Sequence, residues 1–210
     1  MYQFHPSSTL SALLKAKPFQ GAQPEKAKFL FVGLDANYAA NIESQSIFPK
    51  VIEYHEDGVA FWLKYGVHHP FLLPKYSGDG YKYHLNFNKI GFKPEHADQV
   101  SFVELLHFPT VGVNKLSIDD FEVIHLNWLN NLILESNVEH VFIPNSVAVL
   151  MRKTKKFSWL PLKAIEDKKF LNKWHSVGHK NIFKYLHFSN YGKFESQMQR
   201  ERIAIRELIN

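Results

Sequence analysis

Phe29-Leu30-Phe31-Val32-Gly33-Leu34-Asp35-Ala36-Asn37-Tyr38 decides how the rest of the 210-residue chain is read. A short apolar run ending in glycine has the length of a buried strand. At its mouth it delivers one carboxylate and one amide. In an open parallel α/β sheet, ligands bind outside the carboxyl ends of the strands, so Asp35 is a functional candidate. It reads equally well as the cap of a following helix, a common role for Asp after a strand.

Outward from this stretch, three further segments read as strands: Val100 to Leu106, Val138 to Ile143 and Asn181 to Leu186. Between and around them, helical spacing predicts helices over 7–16, 49–65, 81–90, 117–136, 145–151 and 195–209. Residues 18–28, with Gly21 and Pro24, read as a linker. Pro70 and Pro74 bound a loop, and Ser77-Gly78-Asp79-Gly80 is a turn signal. Strands alternating with helices predict an α/β domain in three layers, α/β/α, around a central, mostly parallel four-stranded sheet. One domain is expected over 1–210, with a leading helix and linker (1–27), a core (28–194) and a terminal helix (195–210).

Composition narrows the function classes. Hydrophobic content of 45% with 15% aromatics is globular, and no apolar run approaches the ~20 residues of a membrane span. The N-terminal residues lack the basic-then-apolar pattern of a secretory signal, so a cytoplasmic protein is expected. Zero cysteines exclude disulfides, thiolate metal sites and cysteine-held iron–sulfur clusters. The formal charge of +5 is unevenly spread. Arg152, Lys153, Lys155, Lys156, Lys163, Lys168, Lys169 and Lys173 face only Glu166 and Asp167, with Phe157, Trp159, Phe170 and Trp174 interleaved. Basic residues mixed with aromatics suit a polyanion-facing surface; a solvated loop whose aromatics cover the core is the plainer reading.

The predicted strand ends carry Asp35, Glu104, Asn145 with Ser146, and His187 with Ser189. Their order and context resemble the uracil-DNA glycosylase superfamily. Gly33-Leu34-Asp35-Ala36-Asn37 is similar to that superfamily's first motif, Gly-x-Asp-Pro-Tyr or Gly-x-Asn-Pro-Gly. His187-Phe188-Ser189-Asn190-Tyr191 is similar to its last, His-Pro-Ser-Pro-Leu. Tyr81 to Phe92 looks like the mismatch-specific branch's helix ending in Gly-Phe, and Val100 to Thr110 like the strand that carries the base-reading Asn. The likeness spans about residues 28 to 194 through short, degenerate motifs, with features of both the uracil-specific and mismatch-specific branches.

The resemblance implies a monofunctional DNA glycosylase, a hydrolase of N-glycosyl bonds that leaves an abasic site and needs no metal or cofactor. It assigns Asp35 to stabilising the sugar cation and directing water, and His187 to the departing base; a preorganised donor of that kind is commonly worth about 3 kcal/mol. Taken alone, His187 reads as a core histidine and Ser189 as a helix cap. Asn145 and Ser146 suit a DNA phosphate or an ordinary cap. The base leaves the stack to be cut. Tyr191 stands where family members push a side chain into the vacated space, with Ser189 and Asn190 beside it. Lys193 and the basic segment suit phosphates. Phe61 resembles the aromatic that stacks on the flipped base, and reads equally as core.

Two departures bear on the substrate. Asn37 stands where uracil-specific enzymes carry a Tyr that blocks the pyrimidine 5-position, although a one-residue shift would give that place to Tyr38. Glu104 replaces the base-reading Asn. An ionised carboxylate only accepts hydrogen bonds, which suits the exocyclic amine of cytosine; a protonated one donates to uracil O4; a third arrangement pairs it with a nearby Lys. Together these favour a 5-substituted cytosine, hydroxymethylated or sugar-decorated, with a role in defence against phage DNA. The alternatives are a uracil or mismatch glycosylase in base-excision repair and a catalytically silent DNA-binding relative. Ala36, where the family has Pro, is expected to loosen the loop that positions the acid. A histidine-bound metal, through His68-His69 or His175 and His179, is disfavoured because Gly178 breaks the helix such a pair needs. A monomer acting on DNA, with no membrane partner, is expected.

Overall fold

A computed structural model describes residues 3–112, 116–166 and 171–209. Lys168, Lys169 and Phe170 of the basic, aromatic segment lie outside the described residues. The protein is mixed α/β, and its described residues build one six-stranded mixed sheet. In chain order the strands are β1 (Gln20–Gly21), β2 (Phe29–Gly33), β3 (Val100–Glu104), β4 (His140–Pro144), β5 (Lys173–Val177) and β6 (Lys180–Tyr185). Their spatial order is β1-β3-β2-β4-β6-β5.

The four strands legible in the sequence form the parallel centre, with β2 pairing β3 on one side and β4 on the other. Every residue of β2 is buried, which explains its unbroken apolar run: a central parallel strand is covered on both faces. The expectation of four strands is corrected to six. β1 runs antiparallel to β3, and β5 antiparallel to β6. Both escaped the sequence reading for physical reasons. β1 is two residues long and ends on Gly21 at φ 78°. β5 has mixed polarity and a register irregularity between Lys173 and His175; short, polar and bulged strands are what the edges of a sheet tolerate.

Period-two alternation sends the strand side chains to opposite faces. Leu30, Val32, Val103, Val141, Ile143 and Ile182 pack with Leu129 and Ile133 of helix α5 (Val123–Glu135) and with Ala148 and Met151 of α6 (Asn145–Lys153). On the other face Phe29, Phe31, Phe102, Phe142 and Phe183 pack with Trp62 of α3 (Gly58–Tyr65), Phe87 of α4 (Tyr81–Asn88) and Ile205 of α7 (Glu195–Glu207). Two earlier helices, α1 (Ser8–Ala16) and α2 (Phe48–Glu56), close a third cluster with Tyr38, Ile42 and Phe71.

The helix expected over 49–65 is two helices. Asp57 turns the chain into extended geometry, and its carboxylate accepts from the Ala60 N–H at 2.9 Å, so it ends α2 and caps α3. The pair His175 and His179 brackets the tight turn between β5 and β6, where Gly178 takes φ 57°. Among the described residues no helix is long and apolar enough to cross a membrane.

Candidate active site

The carboxyl ends of β2, β3 and β6 open onto one cleft of about 440 Å³, within the ~300–1,000 Å³ usual for small-molecule sites. Asp35, Glu104 and His187 all line it, as do Asn37, Tyr38, Ser146, Ser189 and Asn190. The acid near one end of the chain and the imidazole near the other therefore share a single cavity. Among the described residues, no lysine or arginine lines it.

Asp35 is held by its neighbours. The Thr110 hydroxyl donates to Asp35 Oδ2 in a short hydrogen bond, and Asn37 Nδ2 donates to the same oxygen at 3.2 Å. The backbone continues the parallel pairing beyond the strand. The Thr110 N–H donates to Ala36 O at 3.0 Å, and the Tyr38 N–H donates to Thr110 O at 3.1 Å. Asn37 Nδ2 also donates to Gly112 O at 2.6 Å and to Thr110 Oγ1 at 3.1 Å. Where loosening is expected from Ala36, Thr110 ties the loop at Ala36 and Tyr38, just beyond the acid, and bonds the acid itself. Asn37 is likewise recast, because its amide is spent on Asp35, the Thr110 hydroxyl and the Gly112 carbonyl.

Glu104 sits one strand over, in register with Gly33. A Cβ at Gly33 would lie within 2.7 Å of the Glu104 carboxyl carbon, so the glycine opens the slot that the carboxyl fills. His125 of α5 holds the strand end through a 2.8 Å hydrogen bond from Nε2 to Glu104 O. Burial, and then the neighbouring charge of Asp35, push the Glu104 carboxyl up to about 8. Pairing with a lysine is corrected: among the described residues Glu104 forms no ion pair.

His187 lies in the loop after β6, anchored from two helices. The Leu186 N–H donates to Glu201 Oε2 at 2.6 Å, and Asn86 Nδ2 of α4 donates to Phe188 O at 2.8 Å. The Ser189 N–H reaches His187 Nδ1 at 3.4 Å, and Ser189 Oγ lies 2.7 Å from the same nitrogen. A backbone N–H can only donate, so Nδ1 is the acceptor and the neutral ring carries its proton on Nε2. Burial lowers the His187 pKa to about 4, with the Asp35 charge opposing. At neutral pH the ring is thus an uncharged hydrogen-bond donor through Nε2.

Tyr38 is buried, its hydroxyl 2.7 Å from His55 Nε2 and accepting from Gln20 Nε2 at 3.4 Å. The inner wall adds His69 and four groups that sequence reasoning missed: Gln20, Phe71, Tyr83 and His84. The His69 and His84 rings stack at 3.5 Å between centroids, and His68 Nε2 lies 3.1 Å from His84 Nδ1. Burial holds all three imidazoles well below their ordinary range, His84 at about 3. Phe71 seats against Gly80 at the start of α4, where φ is 83° and a Cβ would come within 2.9 Å of its ring. His68-His69 stood out in the sequence, but only the fold reveals His84 beside them.

Four sequence candidates lie outside this cleft. Phe61 is 1% exposed and packs between Tyr54 and Tyr65, so it is a core aromatic. Asn145 borders a separate groove with Lys163, Trp174 and Lys184. Tyr191 is 71% exposed, with Lys82 Nζ 4.9 Å from its ring centroid, and Lys193 is exposed.

No protein-family model matches the sequence, and no curated protein proves similar to it.

Proposed function

We propose that the cleft hydrolyses the N-glycosidic bond of a pyrimidine base flipped out of DNA, leaving an abasic site. The observation that carries this reading is the convergence of Asp35, Glu104 and His187 on one cavity. Breaking the bond between C1′ and the base nitrogen places positive charge on the sugar and negative charge on the departing base. The Asp35 carboxylate, steadied by Thr110 and Asn37, stabilises the sugar cation and directs water to C1′. The His187 Nε2–H supplies a donor to a base carbonyl as negative charge grows there. We place these elements in a three-layer arrangement resembling the uracil-DNA glycosylases.

Binding follows the same logic. Ser146 and Asn190 on the cleft wall, and Asn145 with Lys163 and Lys184 in the adjoining groove, suit the backbone of the strand carrying the base. Tyr191, exposed one residue beyond the cleft-lining Asn190, suits stacking in the space the base leaves. Glu104 reads the base edge, and with Asn37 turned toward Thr110 and Gly112, a 5-substituted cytosine is the favoured substrate, in a role against modified phage DNA. A uracil reader is the second reading, favoured by the raised pKa of Glu104, since a neutral carboxyl can donate to O4.

The test is a panel of duplex and single-stranded oligonucleotides, each with one uracil, cytosine or 5-substituted pyrimidine, scored for abasic sites and freed base. Release of a 5-substituted cytosine supports the favoured reading, and release of uracil alone selects the second. DNA binding without release of any base supports the silent relative and overturns both.

A further inference from the structure

An amide would read a base edge as well as a carboxyl does, and the one thing Glu104 offers beyond an amide is a transferable proton. Several features surround that proton with groups that do not take it away. The carboxyl is set into the slot over Gly33, on the wall that also carries Asp35. Four tyrosines from separate elements feel its charge, Tyr38 after β2, Tyr54 of α2, Tyr83 of α4 and Tyr185 of β6, and of these Tyr38 and Tyr83 line the same cleft. The imidazoles of His69, His84 and His187 share the cleft, and Asp79 adds a carboxylate near its mouth. His107 borders the far side of Glu104, and His125 binds its backbone oxygen. Each of these imidazoles has its pKa lowered by burial, so none stands as a cation beside the acid at neutral pH.

We propose that Glu104 is the general acid of this site, delivering its proton to N3 of a cytosine-type base as the glycosidic bond breaks. The inference rests on the glycosylase reading above and adds the identity of the proton donor. Uracil already carries a hydrogen on N3 and departs as an anion that one hydrogen-bond donor can stabilise. Cytosine has a bare N3 and is a poorer anion, so it benefits from being protonated. The neutral Glu104 carboxyl presents its carbonyl oxygen to the N4 amine and its O–H to N3, one bond to each edge atom.

The step balances. The Glu104 O–H bond breaks as N3–H forms, and the C1′–N1 electron pair passes to the base, which leaves neutral. Water adds through oxygen to C1′ and gives a proton to Asp35. Glu104 recovers its proton from solvent and Asp35 returns its own, so the net change is addition of one water across C1′–N1. The raised pKa of Glu104 accords with this role, since it keeps the proton in place at neutral pH.

The experiment measures single-turnover release from two single-stranded oligonucleotides of one sequence, carrying 5-hydroxymethylcytosine or 5-hydroxymethyluracil. In Glu104→Gln the ratio of cytosine to uracil release is expected to fall by about 100-fold or more, the usual worth of a general acid. Wild-type cytosine release is expected to decline above pH about 8, where Glu104 ionises, while uracil release, which needs no proton on N3 and loses only a hydrogen bond to O4, declines less steeply. The pH profile needs no variant, so it stands if Glu104→Gln fails to fold. An unchanged ratio, or a cytosine profile flat through that pH, overturns the acid while leaving the glycosylase reading intact. Release of uracil alone overturns it too, and release of neither base overturns both.

Discussion

Two adjacent strand ends deliver two carboxyl groups to one cavity and treat them in opposite ways. At the end of β2, Asp35 is wrapped in donors: the Thr110 hydroxyl and the Asn37 amide reach one of its oxygens, and the paired 36–38 and 110 backbone fixes its place. At the end of β3, Glu104 has a slot over Gly33 in a cleft shared with Tyr38, Tyr83, His69, His84 and His187, and burial pushes its carboxyl up to about 8. Burial without a cation disfavours the charged form of a carboxyl, and that is the environment Glu104 has. Environment, not residue type, separates a carboxylate suited to a cationic sugar from an acid suited to a base.

The largest way to disturb this contrast is pH, because the buried end is rich in groups held neutral. His55 is lowered to about 4, His84 to about 3 and His187 to about 4, with His68 and His69 shifted the same way. Below the ordinary histidine value of 6.5, the unfolded chain binds protons that the folded one refuses, so stability falls as pH drops toward 4. Glu104 acts with the opposite sign. Its folded pKa is raised, so its contribution is full below 4.5 and lost as pH rises through about 8. Urea unfolding should therefore show a midpoint that collapses between pH 6.5 and 4 and declines gently from 6.5 to 8. Glu104→Gln should flatten the upper limb and steepen the part of the lower limb above pH 4.5, where Glu104 opposes the histidines. A midpoint constant from pH 7 to 4.5 would contradict the buried, neutral imidazoles.

Gly33→Ala breaks the contrast at its hinge. The new methyl occupies the place of the Glu104 carboxyl on a buried strand, and overpacking of that kind costs about 1–3 kcal/mol. The expected result is a lower unfolding midpoint together with altered base preference, because Glu104 must move. Wild-type preference in a stable Gly33→Ala protein would show that Glu104 does not sit in the slot.

A smaller effect sharpens the Asp35 side. Thr110→Val keeps the shape and removes the hydroxyl donor, which should cost about 1 kcal/mol and slow base release about fivefold to tenfold. DNA affinity, measured by fluorescence anisotropy, should stay near wild type. Loss of affinity with unchanged release rate would mean that Thr110 serves binding instead.

Much of this was legible in the sequence where physics is local. The Phe29–Gly33 run, the two short apolar runs ending near Glu104 and Pro144, and the 181–186 segment each read as strands because central parallel strands carry apolar residues at nearly every position. Asp35 and His187 were visible as polar residues placed just beyond such runs. What escaped was decided by long-range contact. Nothing around Thr110 announces a partner in Asp35, and His84, on a helix of its own, meets His69 only through the fold. Phe61 shows the converse: an aromatic in a promising context, buried against Tyr54 and Tyr65 with no access to the cleft. The edge strands β1 and β5 carry no apolar alternation to find.

The most direct test of the account compares wild type with Asp35→Asn, using a 5-hydroxymethylcytosine oligonucleotide and following freed base by mass spectrometry and DNA binding by anisotropy. The expected result is base release by the wild type, a loss of about 10³-fold in the single-turnover rate of the variant, and retained DNA affinity. A variant that frees base as fast as wild type would contradict it, because the acid at the end of β2 would then stand outside the chemistry.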